Sequence, residues 1–457
     1  MYDPLIHSFP GLGETYPNSY WSKHSDLPPS QPNKLESDIE VDVAIIGAGY
    51  TGLSCAYHLA TEHKIKAHIL EANQTAWGCS GRNAGFILKS TGRKPYANMV
   101  SQWGQSVAKG IYNEACEGVE TVNQLISHGI DCDPQAKGYL RVAHKPSMVQ
   151  SLKDQAKLLN QLFSYKTEFL GQAEIKQGYF DSEHAYGAIR FNDGYGINPL
   201  KLAKGYEGLA IKEGVNIYTS TPVEDVISNN TTANSRAVSD KIHYKLKTPK
   251  GIVSANKVVI ATNGYTPNNF HSSLNNRMLP VLSQIIVTRP LTENELAICN
   301  FLTSNVVMDT RALKYYFRKL PDNRILFGGR GAINGKNAEQ PYYANRLLNV
   351  LKSSFPSLNQ ITIDYSWSGW ICMALDDLPH IVKGDQAGNL FYSAGYCGNG
   401  VSFAVQAGKR LAQQIAGVQV PNLPLYNQEL PNFPLPSLRR LGQWGYFQYG
   451  KVKDCWF

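Results

Sequence analysis

The sequence predicts an α/β chain, α+β overall, built on a Rossmann-type dinucleotide-binding domain with a second, mixed-sheet domain. Three observations point there. The β-forming run Val41 to Ile46 enters Gly47-Ala48-Gly49-Tyr50-Thr51-Gly52, helix formers follow, and a second strand from Lys66 to Leu70 ends on Glu71. Far downstream, the apolar strand Lys257 to Ala261 runs into Thr262-Asn263-Gly264, and Tyr392 to Val401 places three more glycines before a helix over 402–415. Between these returns lies a β-rich stretch, with strands over 284–289, 314–318 and 324–328, the last two forming a hairpin about Pro321-Asp322-Asn323.

Each part of the fingerprint has a physical task. Gly47 makes the turn, Gly49 lets backbone N–H groups approach a pyrophosphate, and Gly52 lets the helix lie against the sheet. The helix N-terminus adds partial positive charge for the phosphates. Glu71, followed by Ala72, stands where a carboxylate accepts hydrogen bonds from both ribose hydroxyls, which disfavours a phosphorylated ribose and hence NADP. The next stretch, Ala76-Trp77-Gly78-Cys79-Ser80-Gly81-Arg82-Asn83-Ala84-Gly85-Phe86, is a small-residue loop rich in backbone donors. A nicotinamide dehydrogenase would continue here with another βα unit, whereas this loop is suited to pass under a bound flavin.

The remaining elements follow in order. The first 38 residues, with Pro10, Pro17, Pro28, Pro29 and Pro32 and with Tyr16, Tyr20 and Trp21, read as an irregular extension anchored by aromatics; they lack the charged and apolar regions of a signal peptide. Apolar spacing predicts helices over 105–128, 147–163 and 200–213. Strands are expected over 130–142 (with a turn at Asp133-Pro134), 216–219, 223–227, 243–248 and 251–254. The chain of 457 residues, 43% hydrophobic and 18% charged, suits a soluble body of two or three domains. A net charge of +8 without Lys/Arg blocks argues against a nucleic-acid partner, and no apolar run is long enough for a spanning membrane segment. Eight scattered cysteines without metal spacing imply no metal site and reduced thiols in a cytoplasmic setting.

The fingerprint together with GCSGRNAGF resembles the D-amino-acid-oxidase-type (DAO) family of FAD-dependent amine oxidoreductases, nearest its gamma-glutamylputrescine oxidoreductase branch. The resemblance covers nearly the whole chain, including the Pro-rich, aromatic end from Leu435 to Phe457. It implies FAD as cofactor and a GR2-type Rossmann domain assembled from 39–95, 190–270 and 365–418. It also implies a substrate domain from 96–189 and 271–364, with 419–457 packed on the body as a tail. Beyond the fingerprint and the Trp77–Gly85 loop, it assigns cofactor contacts to Val223, Ala261, Thr262 and Gly264. It adds Gly395, Tyr396, Gly398, Asn399, Gly400 and Val401, where a helix start stabilises the reduced flavin's anionic edge. Cys397 and Asn399 stand where the family typically has Ser and His, so a side-chain role there is in doubt while the backbone role remains.

On the substrate side, Tyr315, Tyr316 and Arg330 are candidates to line the pocket, although cross-strand packing accounts equally for the tyrosines. Amino-acid-oxidising relatives grip a carboxylate with an Arg after a W-x-G-x turn; here Trp367-Ser368-Gly369-Trp370 leads to Ile371. Sarcosine-oxidase-type relatives attach the flavin to a Cys-Met pair three residues past a glycine, a spacing met by Gly369 and Cys372-Met373, so Cys372 reads either as a covalent flavin link or as a buried structural thiol. The implied reaction is oxidation of an amine C–N bond, in a polyamine conjugate or secondary amine, by hydride transfer to flavin N5, with oxygen or another acceptor reoxidising the flavin. Little protein acid–base chemistry is required, and no general base is assigned. Two alternatives stay open: an amino-acid oxidase or dehydrogenase, and an enzyme that modifies a side chain of a protein partner during cofactor maturation.

Overall fold

The strand Ile39–Ile46 is buried on both faces over its last four residues, as its unbroken apolar run requires of a central parallel strand. In the computed structural model, which describes residues 1–25, 32–228, 243–385 and 388–456, it lies between Ile252–Ile260 and Ala67–Leu70, parallel to both. The sheet continues through Leu390–Ala394 to His380–Lys383 on one side and to Asn216–Tyr218 on the other. Tyr244–Lys247 and Asp225–Ser228 add an antiparallel extension. Strands drawn from distant parts of the chain therefore bring their carboxyl ends, and the glycine turns that follow them, to one edge.

Helices Tyr50–His63 and Val401–Ile415 cross closely over this sheet. A Cβ at Gly408 would come within 2.5 Å of the Thr51 carbonyl oxygen, so glycine sets the approach. Helix Tyr96–Ser127 packs against Val401–Ile415 through a buried polar cluster. Arg410 donates to Glu114 at 2.7 and 2.9 Å and to Glu117 at 2.6 Å, while Gln406 bridges the same two carboxylates. Arg410→Met would strand Glu114 in the interior. A loss of about 3–5 kcal/mol of stability is expected, read from denaturant midpoints. An unchanged midpoint would contradict this role for the pair.

The second sheet runs in the order Ile363–Met373, Leu279–Thr288, Ile325–Arg330, Tyr316–Lys319, Val306–Asp309, Tyr139–Val142, Gly187–Phe191, Thr167–Gly171. It is antiparallel except between Val306–Asp309 and Tyr139–Val142. The hairpin over Pro321-Asp322-Asn323 forms as expected, with Asn323 in the left-handed region at φ 62°.

Several elements depart from the sequence reading. The helix expected over 105–128 begins at Tyr96 and kinks at Gly104, whose φ is 80°. Only Tyr139–Val142 of the strand expected over 130–142 forms, because Gln135 and Gly138 instead donate singly to the Gly196 and Gly194 carbonyls. The separate strands over 251–254 and 257–261 are one strand, Ile252–Ile260. Ile363–Met373, which reaches into the stretch read as cofactor domain, pairs along its length with Leu279–Thr288 in the second sheet.

Both chain ends pack on the body. Trp21 donates to the Asn83 carbonyl at 2.9 Å and Tyr16 to that of Thr75 at 2.6 Å, tying the N-terminal extension to the glycine-rich loop. Helix Arg439–Trp456 buries Phe447 against Val281 and Ile371 while Trp444, Tyr446 and Tyr449 stay exposed. Pro28, Pro29 and Phe457 lie outside the described residues. Among the described residues no helix is long and apolar enough to cross a membrane, and no metal-binding cluster occurs.

Candidate cofactor and substrate site

At the carboxyl edge of the parallel strands lies a cavity of about 260 Å³, roofed by the second sheet. Its first wall is the fingerprint turn. Gly47 takes φ 105°, and a Cβ on Gly52 would stand 2.0 Å from the Gly47 carbonyl oxygen, so the turn and the helix share space that only glycine leaves. The Glu71 carboxylate reaches back to accept from the N–H of Ala48 at 2.9 Å and of Asn73 at 3.0 Å. Burial raises its carboxyl above the ordinary range, and those backbone donors oppose the rise.

The second wall is the loop after Ala76, which holds its own shape. Asn83 donates to the Ser80 carbonyl at 2.9 Å and accepts from the Gly85 N–H at 2.7 Å. The Ser80 hydroxyl accepts from the Tyr50 N–H at 3.0 Å, joining loop to helix start. The third wall is the turn before Val401–Ile415. Gly395, Cys397 and Gly398 all have positive φ, which aims the backbone of the turn. Asn399 donates to the Gly92 carbonyl at 2.5 Å, so its amide is committed to fixing a loop. The Tyr396 hydroxyl lies 2.6 Å from both Thr51 and Ser393, linking this wall to the first. Both helix starts have glycine caps, Gly49 and Gly400, whose lack of a side chain leaves donors for a ligand.

The cavity is lined by Gly47, Gly49, Tyr50, Thr51, Glu71, Ala72, Trp77, Gly78, Ser80, Asn83 and Ala84 of the expected residues. Val223, Ala261, Thr262, Gly264, Cys372, Tyr396, Gly398, Asn399, Gly400 and Val401 face it as well, with Tyr316 and Arg330 on the roof. Six expected residues sit behind its surface. Gly52, Gly81 and Gly85 let backbone segments touch: a Cβ on Gly81 would lie 2.4 Å from the Ala76 carbonyl oxygen, and one on Gly85 2.0 Å from that of Ile197. A Cβ on Gly395 would press on Ala374 and the Leu378 carbonyl at 3.0 Å. Arg82 spends its guanidinium on the Trp77 and Ser368 carbonyls and covers the Trp77 ring. Tyr315 points to the other face of its sheet and packs on Phe327.

Two cations escaped the sequence reading. Lys314 lies two residues before Tyr316, so the period of a strand would have placed both on one face. Arg93 enters from the loop after Phe86–Ile87 and carries no sequence signal of its own. Both line the cavity beside Arg330.

Parallel strands ending on two glycine-capped helix starts, with a second sheet over the opening, make the frame of a dinucleotide-dependent enzyme. The chain belongs to the DAO family of FAD-dependent oxidoreductases, whose family model matches residues 42–414. It is 31% identical over 409 residues to gamma-glutamylputrescine oxidoreductase of Escherichia coli, covering 89% of this chain and 90% of that one. It is 30% identical over 383 residues to a probable oxidoreductase, OrdL, of Haemophilus influenzae, covering 82% and 83%. The fold is also that of glycine oxidase from Geobacillus kaustophilus, with a TM-score of 0.69 at 19% identity over 86% of this chain and 100% of that one. The protein binds FAD.

Proposed function

We propose that this enzyme oxidises the C–N bond of an amine, in a polyamine conjugate or a secondary amine. One observation supports the reading above all. Arg93, Lys314 and Arg330 line the cavity, and its only carboxylate among the described residues, that of Glu71, is held by two backbone N–H groups. Cations with no free carboxylate lower the pKa of an incoming amine. The nitrogen then keeps the lone pair that must stabilise the positive charge left at its carbon.

When bound, FAD supplies the two-electron acceptor, taking at N5 a hydride from the carbon next to nitrogen. The Gly47 to Thr51 turn would hold its pyrophosphate, with Glu71 and Ala72 on the adenosine side. The Trp77 to Ala84 loop would pass under the flavin beside that pyrophosphate, and the backbone of Tyr396 to Val401 would hold the ring edge that becomes anionic. Val223, Ala261, Thr262 and Gly264 would complete the wall. Tyr316, fixed by a 2.7 Å contact between its hydroxyl and that of Ser283, would set the amine against the ring. The expected products are an imine, hydrolysed in water to a carbonyl compound and the released amine or ammonia. Oxygen or another acceptor restores the flavin. A carbonyl product trapped with a hydrazine reagent after incubation with an N-acylated diamine would support this. Its absence across polyamine conjugates and secondary amines would overturn the assignment.

Cys372 is expected to remain free. Its thiol lines the cavity but is buried, and burial pushes it up to about 12, leaving little thiolate at neutral pH. Acid precipitation should release FAD to the supernatant. Yellow colour in the pellet, with one FAD mass on the Cys372 peptide, would contradict this.

A further inference from the structure

We infer that helix Arg439–Trp456 docks the protein on an anionic lipid surface, lying along the bilayer interface without crossing it. The inference goes beyond the amine reading and does not depend on it.

The helix is built the reverse way round from one that faces water. Its polar groups turn inward. Arg439 donates to the Met278 carbonyl at 2.6 Å and to the Asn268 side chain at 2.9 Å, and Arg440 donates to Asp3 at 2.7 Å. The Asp454 carboxylate accepts from the N–H groups of Ala312 at 2.7 Å and Leu313 at 3.1 Å. Gln443, Phe447 and Gly450, all buried, continue this inward face.

The outward face carries Leu438, Leu441, Trp444, Tyr449 and Val452, with Leu441 60% and Trp444 51% exposed. Gly442 and Gly445 lie among them, and a Cβ on either would meet nothing within 4 Å. Leu435 and Tyr446 bring the exposed large apolar side chains of 435–452 to seven. Outside it, no stretch of equal length among the described residues holds more than three. Such a concentration marks a surface that meets something other than water.

Charge decides what covers it. With about 3.6 residues per turn, the exposed Lys451 and Lys453 fall on the two margins of the apolar face. Residues 435–456 hold four cations, Arg439, Arg440, Lys451 and Lys453, and one acid, Asp454, which is tied inward. A second copy docked face to face would set lysine margins against each other without an acid between them. An anionic headgroup layer supplies the missing charge. The apolar side chains enter the acyl boundary while the lysine stems reach back to the phosphates. Trp and Tyr, apolar rings with one polar edge, suit that depth. The net charge of +8 adds a general attraction.

The test uses the full-length holoenzyme and sedimentation with vesicles of phosphatidylethanolamine and phosphatidylglycerol, compared with vesicles of phosphatidylcholine alone. Binding to the anionic vesicles should be about ten-fold tighter or more, should weaken as salt is raised, and should shift Trp444 emission to shorter wavelength. Leu441→Ser with Trp444→Ser should keep FAD and the wild-type thermal midpoint, yet lose about ten-fold or more in vesicle affinity. Lys451→Glu with Lys453→Glu should abolish the preference for anionic vesicles. Failure to bind the anionic vesicles, or undiminished binding by both double variants, would overturn the inference. So would a lipid-free dimer that the Leu441, Trp444 variant converts to monomer, since the face would then be an interface between copies. A midpoint far below wild type in that variant would also overturn it, by showing that the face packs within the molecule.

Discussion

Glu71→Ala is expected to weaken FAD binding by a factor on the order of 100 or more. In the proposed role the carboxylate accepts from the ribose, and losing two charge-assisted hydrogen bonds, each worth roughly 1.5–3 kcal/mol, costs at least that factor. In the structure the same oxygens also accept from Ala48 and Asn73, so the substitution removes a brace of the turn as well. Glu71→Gln separates the two effects, since the amide keeps the shape and one acceptor and should lose less. FAD titration of the apoprotein reads both. A wild-type dissociation constant for Glu71→Ala would remove Glu71 from the site.

The second large effect is expected at Gly52. An added methyl group would lie 2.0 Å from the Gly47 carbonyl oxygen and 3.2 Å from an Ile45 methyl, and backbone cannot rotate away as a side chain can. Gly52→Ala should therefore displace the helix start from the turn, giving protein that purifies without FAD and melts well below wild type. At Gly49 the same methyl would meet only the Ser80 hydroxyl, at 2.9 Å, which a rotamer change relieves. Gly49→Ala should thus retain the fold, and any loss of FAD would arise at the ligand. Stoichiometric FAD in purified Gly52→Ala would contradict this account of the turn.

What the sequence disclosed follows from range. The fingerprint strands, the Tyr50–His63 helix and the glycine turn before Val401 are local patterns, each complete within a short stretch, and they appear at the residues expected. The placement of Ile363–Met373 is not local. Its apolar run fits either sheet, and only its partner, Leu279–Thr288, decides the matter. The glycine-rich loop shows the same limit. Trp77 to Gly85 reads as a ligand loop throughout, yet Gly81, Arg82 and Gly85 face inward: Gly81 lies against the nearby Ala76 carbonyl, while Arg82 and Gly85 are claimed by Ser368 and Ile197, far away in sequence. The cation cluster was the least legible feature. Arg93, Arg141, Lys314 and Arg330 stand on four separate segments, and the parallel pairing of Tyr139–Val142 with Val306–Asp309 helps to gather them.

The central claim is that bound FAD takes electrons from an amine. It is tested most directly by mixing the holoenzyme without air with N-acylated diamines, secondary amines and α-amino acids, and following the loss of flavin absorbance. Ile371 in place of a carboxylate-gripping arginine predicts rapid bleaching by acylated diamines or secondary amines, and slower bleaching by ordinary α-amino acids. Rapid bleaching by a D- or L-amino acid would contradict the substrate assignment, and a flavin that stays yellow with every amine would contradict the claim itself.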